Sequence, residues 1–256
     1  MTILQRLHRK NQSESVLESP DMRPLERASV QLYLASNSPR RKELLSLVGL
    51  EYTLLPAPVD ETPYPGEGGA DYVIRVARSK AQAAACRVDR EGIVIAADTA
   101  VVATELVDRE TGVQEKILGK PAGQEEAFAM LRSLRGRTHQ VHTAVAILPV
   151  PGGKTASDLC TTDVPMREYT DSEIEAYVAS GDPLDKAGAY AIQHPVFDPV
   201  SRVEGCSLNV VGLPLCHLGR ALAAFGVVVP ANIPRACRAF TQRDCAVPVE
   251  MLTKGR

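Results

Sequence analysis

The apolar run Ile93-Val94-Ile95-Ala96-Ala97 is unbroken and stops at Asp98. A run this short and continuous reads as a buried strand. Strand-like and helix-like segments alternate on both sides of it. Residues 31–35 form a strand-like stretch, after which Ser38-Pro39 opens a helix, since Ser is a good N-cap and Pro suits the first helical position. Leu44, Leu45, Leu47 and Val48 supply its apolar side and Gly49 its stop. A second strand over residues 51–55 leads into a Pro- and Gly-rich loop over residues 56–69.

Residues 71–85 repeat apolar positions at helical spacing, with Val73, Val76, Ala77 and Ala81 on one face. Residues 99–103 prolong the strand begun at Ile93 and lead into a polar hairpin or loop reaching Lys116. A helix over residues 124–134 and a strand over residues 138–148 follow. Thr170-Asp171-Ser172-Glu173 has the form of a capping box, Gly181 ends the helix it starts, and a last helix covers residues 213–225. The alternation predicts a mixed α/β fold. Residues 1–29 mix charge, Ser and Pro without a period, residues 230–256 hold Arg235, Arg238, Arg243, Lys254 and Arg256 against Asp244 and Glu250, and both are expected to be flexible extensions.

Charge excludes several function classes. Lys plus Arg number 29 against 31 Asp plus Glu, a net charge of −2, so a polybasic polynucleotide binder is not expected. No stretch approaches the roughly 20 apolar residues that cross a bilayer, and no hydrophobic segment follows the basic opening, so neither membrane span nor secretory signal is expected. The six cysteines show no Cys-x-x-Cys spacing and read as reduced thiols of a cytoplasmic protein.

Three places carry candidate chemistry. Ser36-Asn37-Ser38-Pro39-Arg40-Arg41 joins a strand to a helix N-terminus, where free N–H groups and the helix dipole favour an anion. Its hydroxyls and guanidiniums suit phosphate oxygens, although the same residues also read as an ordinary cap followed by two surface arginines. Lys80 follows Val73, Val76 and Ala77 at helical spacing and so lies on the apolar face, where it either snorkels or meets a buried or bound anion. Asp98, followed by Thr99, is a carboxylate at a buried strand's end, able to bind Mg²⁺, take a proton from water, or cap a turn.

Glu61 in the Pro-rich loop is a second metal-ligand candidate or a solvated acid, and Lys120 sits in the turn Gly119-Lys120-Pro121. His139 and His142 are three apart on a strand, point to opposite faces, and cannot share a metal. Residues 188–193 and 204–214 read as small-residue turns flanking strands, and Gln193 can both donate to and accept from a base edge. Neither a P-loop nor a Rossmann glycine pattern occurs.

Taken in order, these motifs resemble the Maf family of nucleoside triphosphate pyrophosphatases. The series is Ser-x-Ser-Pro-Arg-Arg, the loop Glu, Ala-Arg-x-Lys-Ala, Ala-Asp-Thr, Gly-Lys-Pro, Gly-Arg-Thr-His-Gln-Val-His-Thr, Asp-Lys-Ala-Gly-Ala-Tyr-x-Ile-Gln and Asn-Val-x-Gly-Leu-Pro. The resemblance runs from about Leu32 to Phe225. It implies an elongated mixed β-sheet with flanking helices, two lobes around a cleft, and hydrolysis of a nucleoside triphosphate to monophosphate and pyrophosphate with Mg or Mn. It makes Asp98 the proton acceptor acting on a water at the metal, with Glu61 beside it. Ser36, Ser38, Arg40, Arg41, Lys80 and Lys120 become the phosphate-binding set.

Arg40, Thr99 and Gln193 match the branch resembling dTTP/UTP pyrophosphatases, and the absence of Trp sets the chain apart from the 7-methyl-GTP branch. The resemblance leaves a homodimer open. One departure is local: His194-Pro195-Val196 follows Gln193 where the family usually has glycines, so a differently shaped loop is expected there. Another is the long segment over residues 103–116, expected to extend a hairpin. A non-catalytic relative that regulates cell division is the competing expectation, and the intact Asp98, Lys80 and Lys120 weigh against it. Within the enzyme class, a broader pyrophosphatase acting on modified pyrimidine nucleotides stays open.

Overall fold

The computed structural model describes residues 30–108 and 112–243. The expected leader, the hairpin tip and the last residues, including Cys245, lie outside them. Chain order runs β1 (Leu32–Leu34), α1 (Pro39–Leu47), β2 (Thr53–Leu54), α2 (Gly69–Ala85), β3 (Gly92–Asp108) and β4 (Gly112–Leu118). It continues with α3 (Gln124–Leu134), β5 (Thr138–Val150), β6 (Ala156–Pro165), α4 (Asp171–Ala179), α5 (Ser207–Val211), α6 (Leu215–Ala223) and α7 (Ile233–Thr241). Two 3-10 turns, Asp182–Asp185 and Ala187–Ala189, link α4 to the segment that follows. Among these residues no helix is long and apolar enough to cross a membrane.

The sheet has six strands in the order β2-β1-β3-β5-β6, with β4 on β3, and it mixes parallel with antiparallel pairing as the α/β reading predicts. β3 is the spine. At about 3.3 Å per residue its 17 residues span roughly 50 Å. One edge of β3 pairs with β5 from Gly92 to Val102. The other edge is shared: parallel β1 covers Ile93–Ile95 and antiparallel β4 covers the edge from Val101 onward. Among the described residues, positions 96–100 therefore have no strand partner on that edge. The carboxyl end of β1 opens into this gap, where α/β sheets place ligands.

Alternation along β3 builds the cores. Ile93, Ile95 and Ala97 face a cluster formed with α1 and α6, whereas Val94 and Ala96 face α2 on the opposite side. Farther along, Val101 and Ala103 face a third cluster built from α3 and α4. One sheet thus serves apolar clusters in two lobes, and Asp98-Thr99 lies at the changeover.

Local signals act as expected at several ends. Ser38 is the N-cap of α1 with Pro39 in its first turn, and Gly49 follows the helix with φ +70°. The Thr170–Glu173 capping box is complete. Close approach requires a glycine at Gly69, because a Cβ there would lie 2.3 Å from Val102 Cγ2.

One strand was not foreseen and two expectations need correction. β6 does not stand out in the sequence, because its buried positions Cys160 and Thr162 blur the apolar alternation. The small-residue stretches near residues 188–193 and 204–214 carry a 3-10 turn and the short helix α5, not turns between strands. The segment expected to extend loosely from residue 230 contains α7, whose Ile233 and Cys237 are buried in the first cluster.

The β5 histidines face opposite ways, as their spacing requires. His139 Nε2 meets the Tyr190 hydroxyl at 2.8 Å, and His142 Nδ1 meets Thr161 Oγ1 at 2.8 Å. Burial pushes the His139 imidazole down from 6.5 to about 4. The unfolded chain takes up this proton near pH 6.5, and the folded chain takes it up only near pH 4. The stability it contributes is complete above pH 6.5 and is lost as pH falls to about 4, by about 3 kcal/mol. His139→Gln is expected to shrink the stability difference between urea titrations at about pH 7 and about pH 4.5. An undiminished difference would contradict this assignment.

Candidate active site

The site forms where the gap in the β3 edge meets the turn after β1. Ser36, Asn37 and Ser38 leave the sheet there, and the Ser38 backbone N–H donates to Ser36 Oγ at 3.2 Å. The first turn of α1 then brings Arg41 inward. Its guanidinium spans three acceptors: Nε donates to the Gly212 carbonyl at 3.0 Å, one terminal nitrogen to Ser36 Oγ at 3.3 Å, and the other to Thr99 Oγ1 at 3.2 Å. Only a planar fork can reach three such points, and one N–H on each terminal nitrogen remains for a ligand. Burial pushes the Arg41 guanidinium below its ordinary value, with Asp98 and Glu61 opposing the shift.

The Thr99 hydroxyl is fixed by a relay. Thr143 Oγ1 donates to the Asn209 carbonyl at 2.9 Å, and the two threonine oxygens are 2.9 Å apart. Thr143 has a single proton and has committed it, so Thr99 donates to Thr143. Towards Arg41 or a ligand, Thr99 can therefore only accept. Asn209 is itself held, its amide donating to the Val141 carbonyl and to Thr162 Oγ1, each at 2.8 Å. Thr143 and Asn209 were not singled out in the sequence, and both are fully buried. Thr143, polar on a strand face otherwise lined by Val141 and Val145, was the available signal.

On the α2 side of the sheet, Lys80 Nζ contacts Asp98 Oδ1 at 2.7 Å and Glu61 Oε1 at 2.8 Å. The inward lysine thus meets carboxylates rather than snorkelling to water. Glu61 is carried by the Pro-rich loop, which α2 pins down. The Tyr72 hydroxyl donates to the Glu61 carbonyl at 2.9 Å, and Arg75 pairs with Glu67 at 2.6 Å while stacking over Tyr64. Asp98 is buried, and desolvation pushes its carboxyl above the ordinary value against the pull of Lys80 and Arg41.

Asp98 Oδ2 is buried and has no hydrogen-bond partner. A buried carboxylate oxygen without a donor is costly unless something positive meets it. Asp98 and Glu61 offer hard oxygen ligands, which suit Mg²⁺ or Mn²⁺. Among the described residues no third His, Cys, Asp or Glu joins them, so these two carboxylates fit a divalent cation only as part of its shell, the rest coming from other oxygen donors.

The side chains of the remaining candidates are not joined to the Arg41 or Lys80 contacts by any hydrogen bond or ion pair described above. Arg40 pairs with Asp185 at 3.2 Å, and Lys186 bridges Asp185 and Asp182 at 2.7 and 3.0 Å. Asp182 Oδ2 accepts from Tyr177, whose hydroxyl oxygen in turn accepts the Ala191 N–H, so Arg40 is tied to the segment that carries Gln193. Lys120 is exposed in the turn after β4, and the preceding Gly119 carbonyl accepts the Gly188 N–H at 3.0 Å. Ser38 is half-buried and makes no side-chain cap bond. Gln193 is exposed, outside the Arg41 network, with its amide directed at the Phe240 carbonyl of α7.

A family model described as Maf-like protein matches residues 31–225, which is well over half of the chain. The chain belongs to the Maf family. Among similar relatives of this Maf chain is a dTTP/UTP pyrophosphatase of Methylobacillus flagellatus, 43% identical over 203 residues, covering 79% of this chain and 96% of the relative. A dTTP/UTP pyrophosphatase of Alkaliphilus metalliredigens is 41% identical over 192 residues, covering 75% and 94%. The Ham1 protein of Staphylococcus aureus is a looser structural likeness, 15% identical with TM-score 0.41, covering 83% of this Maf chain and 98% of that one. In the Maf chain, residues 31–225 contain every candidate side chain named above.

Proposed function

We propose that this protein hydrolyses dTTP and UTP to the nucleoside monophosphate and pyrophosphate. The observation that carries the reading is the pairing, across one gap in the sheet, of an anion-binding fork at Arg41 with the orphaned buried oxygen of Asp98. The two curated relatives described above carry that activity in their names.

The residues divide the work by face. A divalent cation, Mg²⁺ or Mn²⁺, would be held by Asp98 and Glu61 together with substrate phosphates, and it supplies neutralisation of phosphate charge. Arg41, Ser36, Ser38 and the N-terminus of α1 bind phosphate oxygens, with Arg40 and Lys120 at the rim. Lys80 shifts between its carboxylates and the arriving phosphates and holds the Asp98 carboxylate oriented. Asp98 accepts the proton of the water that attacks the α-phosphorus, and its location in a dry strand keeps it from competing solvent. The cations stabilise the charge that develops on the departing pyrophosphate. Gln193 reads the base edge. A cytoplasmic location and the absence of membrane or polynucleotide partners belong to the same reading, which sets no oligomeric state.

A substrate panel tests it. With Mg²⁺ or Mn²⁺ present, kcat/KM for dTTP and UTP is expected to exceed that for 7-methyl-GTP by about 10⁴-fold, the scale on which a site built for one set of hydrogen bonds rejects a substrate that cannot make them. The reverse order would sink the pyrimidine assignment. Pyrophosphate release from none of them would favour a binding-only role in cell division.

A further inference from the structure

α7 lies beyond the segment that the family model matches, which ends at residue 225. It is nonetheless built into the molecule. Ile233 and Cys237 are buried in the cluster that holds α1 and α6, and Phe240 packs against the same cluster. The helix also packs on α5, and the Gly212 carbonyl just after α5 receives Arg41.

The last turn of α7 forms one wall of a groove of about 350 Å³, and the loop carrying Ile192, Gln193 and His194 forms the other. Across it the Gln193 amide donates to the Phe240 carbonyl at 3.4 Å, a long bond. The loop is itself braced. His194 Nδ1 accepts the Phe197 N–H at 2.9 Å, and the ring packs on Tyr177 at 4.7 Å between centroids. The His194-Pro195 departure from the family pattern is thus a loop with its own internal brace, facing α7.

A backbone carbonyl can only accept, so it can face only the NH₂ end of a glutamine amide. One amide hydrogen is used on Phe240, and the other lies beside Oε1. That edge offers a donor and an acceptor in fixed order. Uracil and thymine present the complement, an N3–H flanked by carbonyl oxygens. Cytosine presents the opposite order, with an acceptor at N3 and an amino group at C4. To serve cytosine in the same pose, the amide must flip and set Oε1 against the Phe240 carbonyl, two acceptors facing each other.

We infer that α7 is a specificity element: its Phe240 carbonyl fixes the orientation of the Gln193 amide and selects imide-edged bases over cytosine. The inference rests on the dTTP/UTP reading above and on Gln193 meeting the base. It adds a determinant from outside the family's matched segment.

The test is a full-length Thr241→Pro variant. A residue before proline is driven out of the helical region, so Phe240 and its carbonyl turn away while Ile233 and Cys237 stay in place. The ratio of kcat/KM for UTP over CTP is expected to fall about tenfold, the scale of one lost donor–acceptor base contact. In a Gln193→Leu background, where no amide remains to orient, Thr241→Pro should change that ratio less than about twofold. A chain ending after Ala239 keeps both buried anchors and serves if the proline variant melts early.

An unchanged UTP/CTP ratio in the folded variants would overturn the inference. So would a loss of equal size in the Gln193→Leu background, because α7 would then act by general disruption. If the full chain turns over neither UTP nor dTTP, the proposed function fails instead, and the two failures are distinguishable.

Discussion

Asp98→Asn is expected to reduce turnover of dTTP by about 10³-fold, the scale on which a positioned general base contributes. The variant keeps the shape of the side chain, and its amide oxygen can still accept from Lys80, which stays paired with Glu61. The phosphate-binding side chains are untouched, so the loss falls mainly on kcat, while the metal concentration for half-maximal activity rises because one of the two carboxylates that would hold the cation is gone. Stability is expected to hold, because the lost ion pair is offset by no longer burying a charge whose second oxygen has no partner. A kcat within about tenfold of the parent would remove Asp98 from the proton-accepting role. A collapse of both folding and activity would make it a structural carboxylate, the bland alternative for an acid in this position.

Arg41→Lys carries the second large effect. Lysine preserves the charge but is a compact point donor on a flexible stem. It cannot span the Gly212 carbonyl, Ser36 Oγ and Thr99 Oγ1 together, which the guanidinium holds at 3.0, 3.3 and 3.2 Å. The turn after β1, the loop after α5 and strand β3 then lose their common tie, and phosphate loses a directed donor. kcat/KM for dTTP should fall about 10²-fold, the low end for losing one preorganised donor to a developing anion. Steady-state kinetics on the folded variant would show it, and a change under threefold would mean that charge alone matters at this position.

The parts of the fold and site that the sequence made legible are those set by local spacing. The inward face of Lys80 follows from Val73, Val76 and Ala77, and the start of α1 follows from Ser38-Pro39. The contacts that join the site depend on distant pairing. Arg41 meets Thr99 only because β1 lies parallel to β3 and ends three residues short of Asp98, leaving the edge open until β4 arrives. Motif order placed Arg41 and Thr99 in one site as a resemblance, but neither it nor residue spacing gave their contact. Glu61 reaches Lys80 through a loop pinned by Tyr72 and Arg75, whose aim no period encodes.

α7 was hidden for a different reason. Its buried face is narrow, with Ile233 and Cys237 spaced by one turn among arginines, and composition there resembles a solvated tail. Thr143 and Asn209 illustrate a third limit. Their importance lies in the direction of a proton along a relay, which follows from atoms and not from residue types.

In the proposed reaction this gap in the sheet directs water to the α-phosphorus of a pyrimidine triphosphate. The most direct test is the identity of the products formed from dTTP by the purified full chain with Mg²⁺ or Mn²⁺. Thymidine monophosphate and pyrophosphate are expected in equal amounts, formed about 10³-fold more slowly by Asp98→Asn. Release of thymidine diphosphate with orthophosphate, or of no product at all, would contradict it.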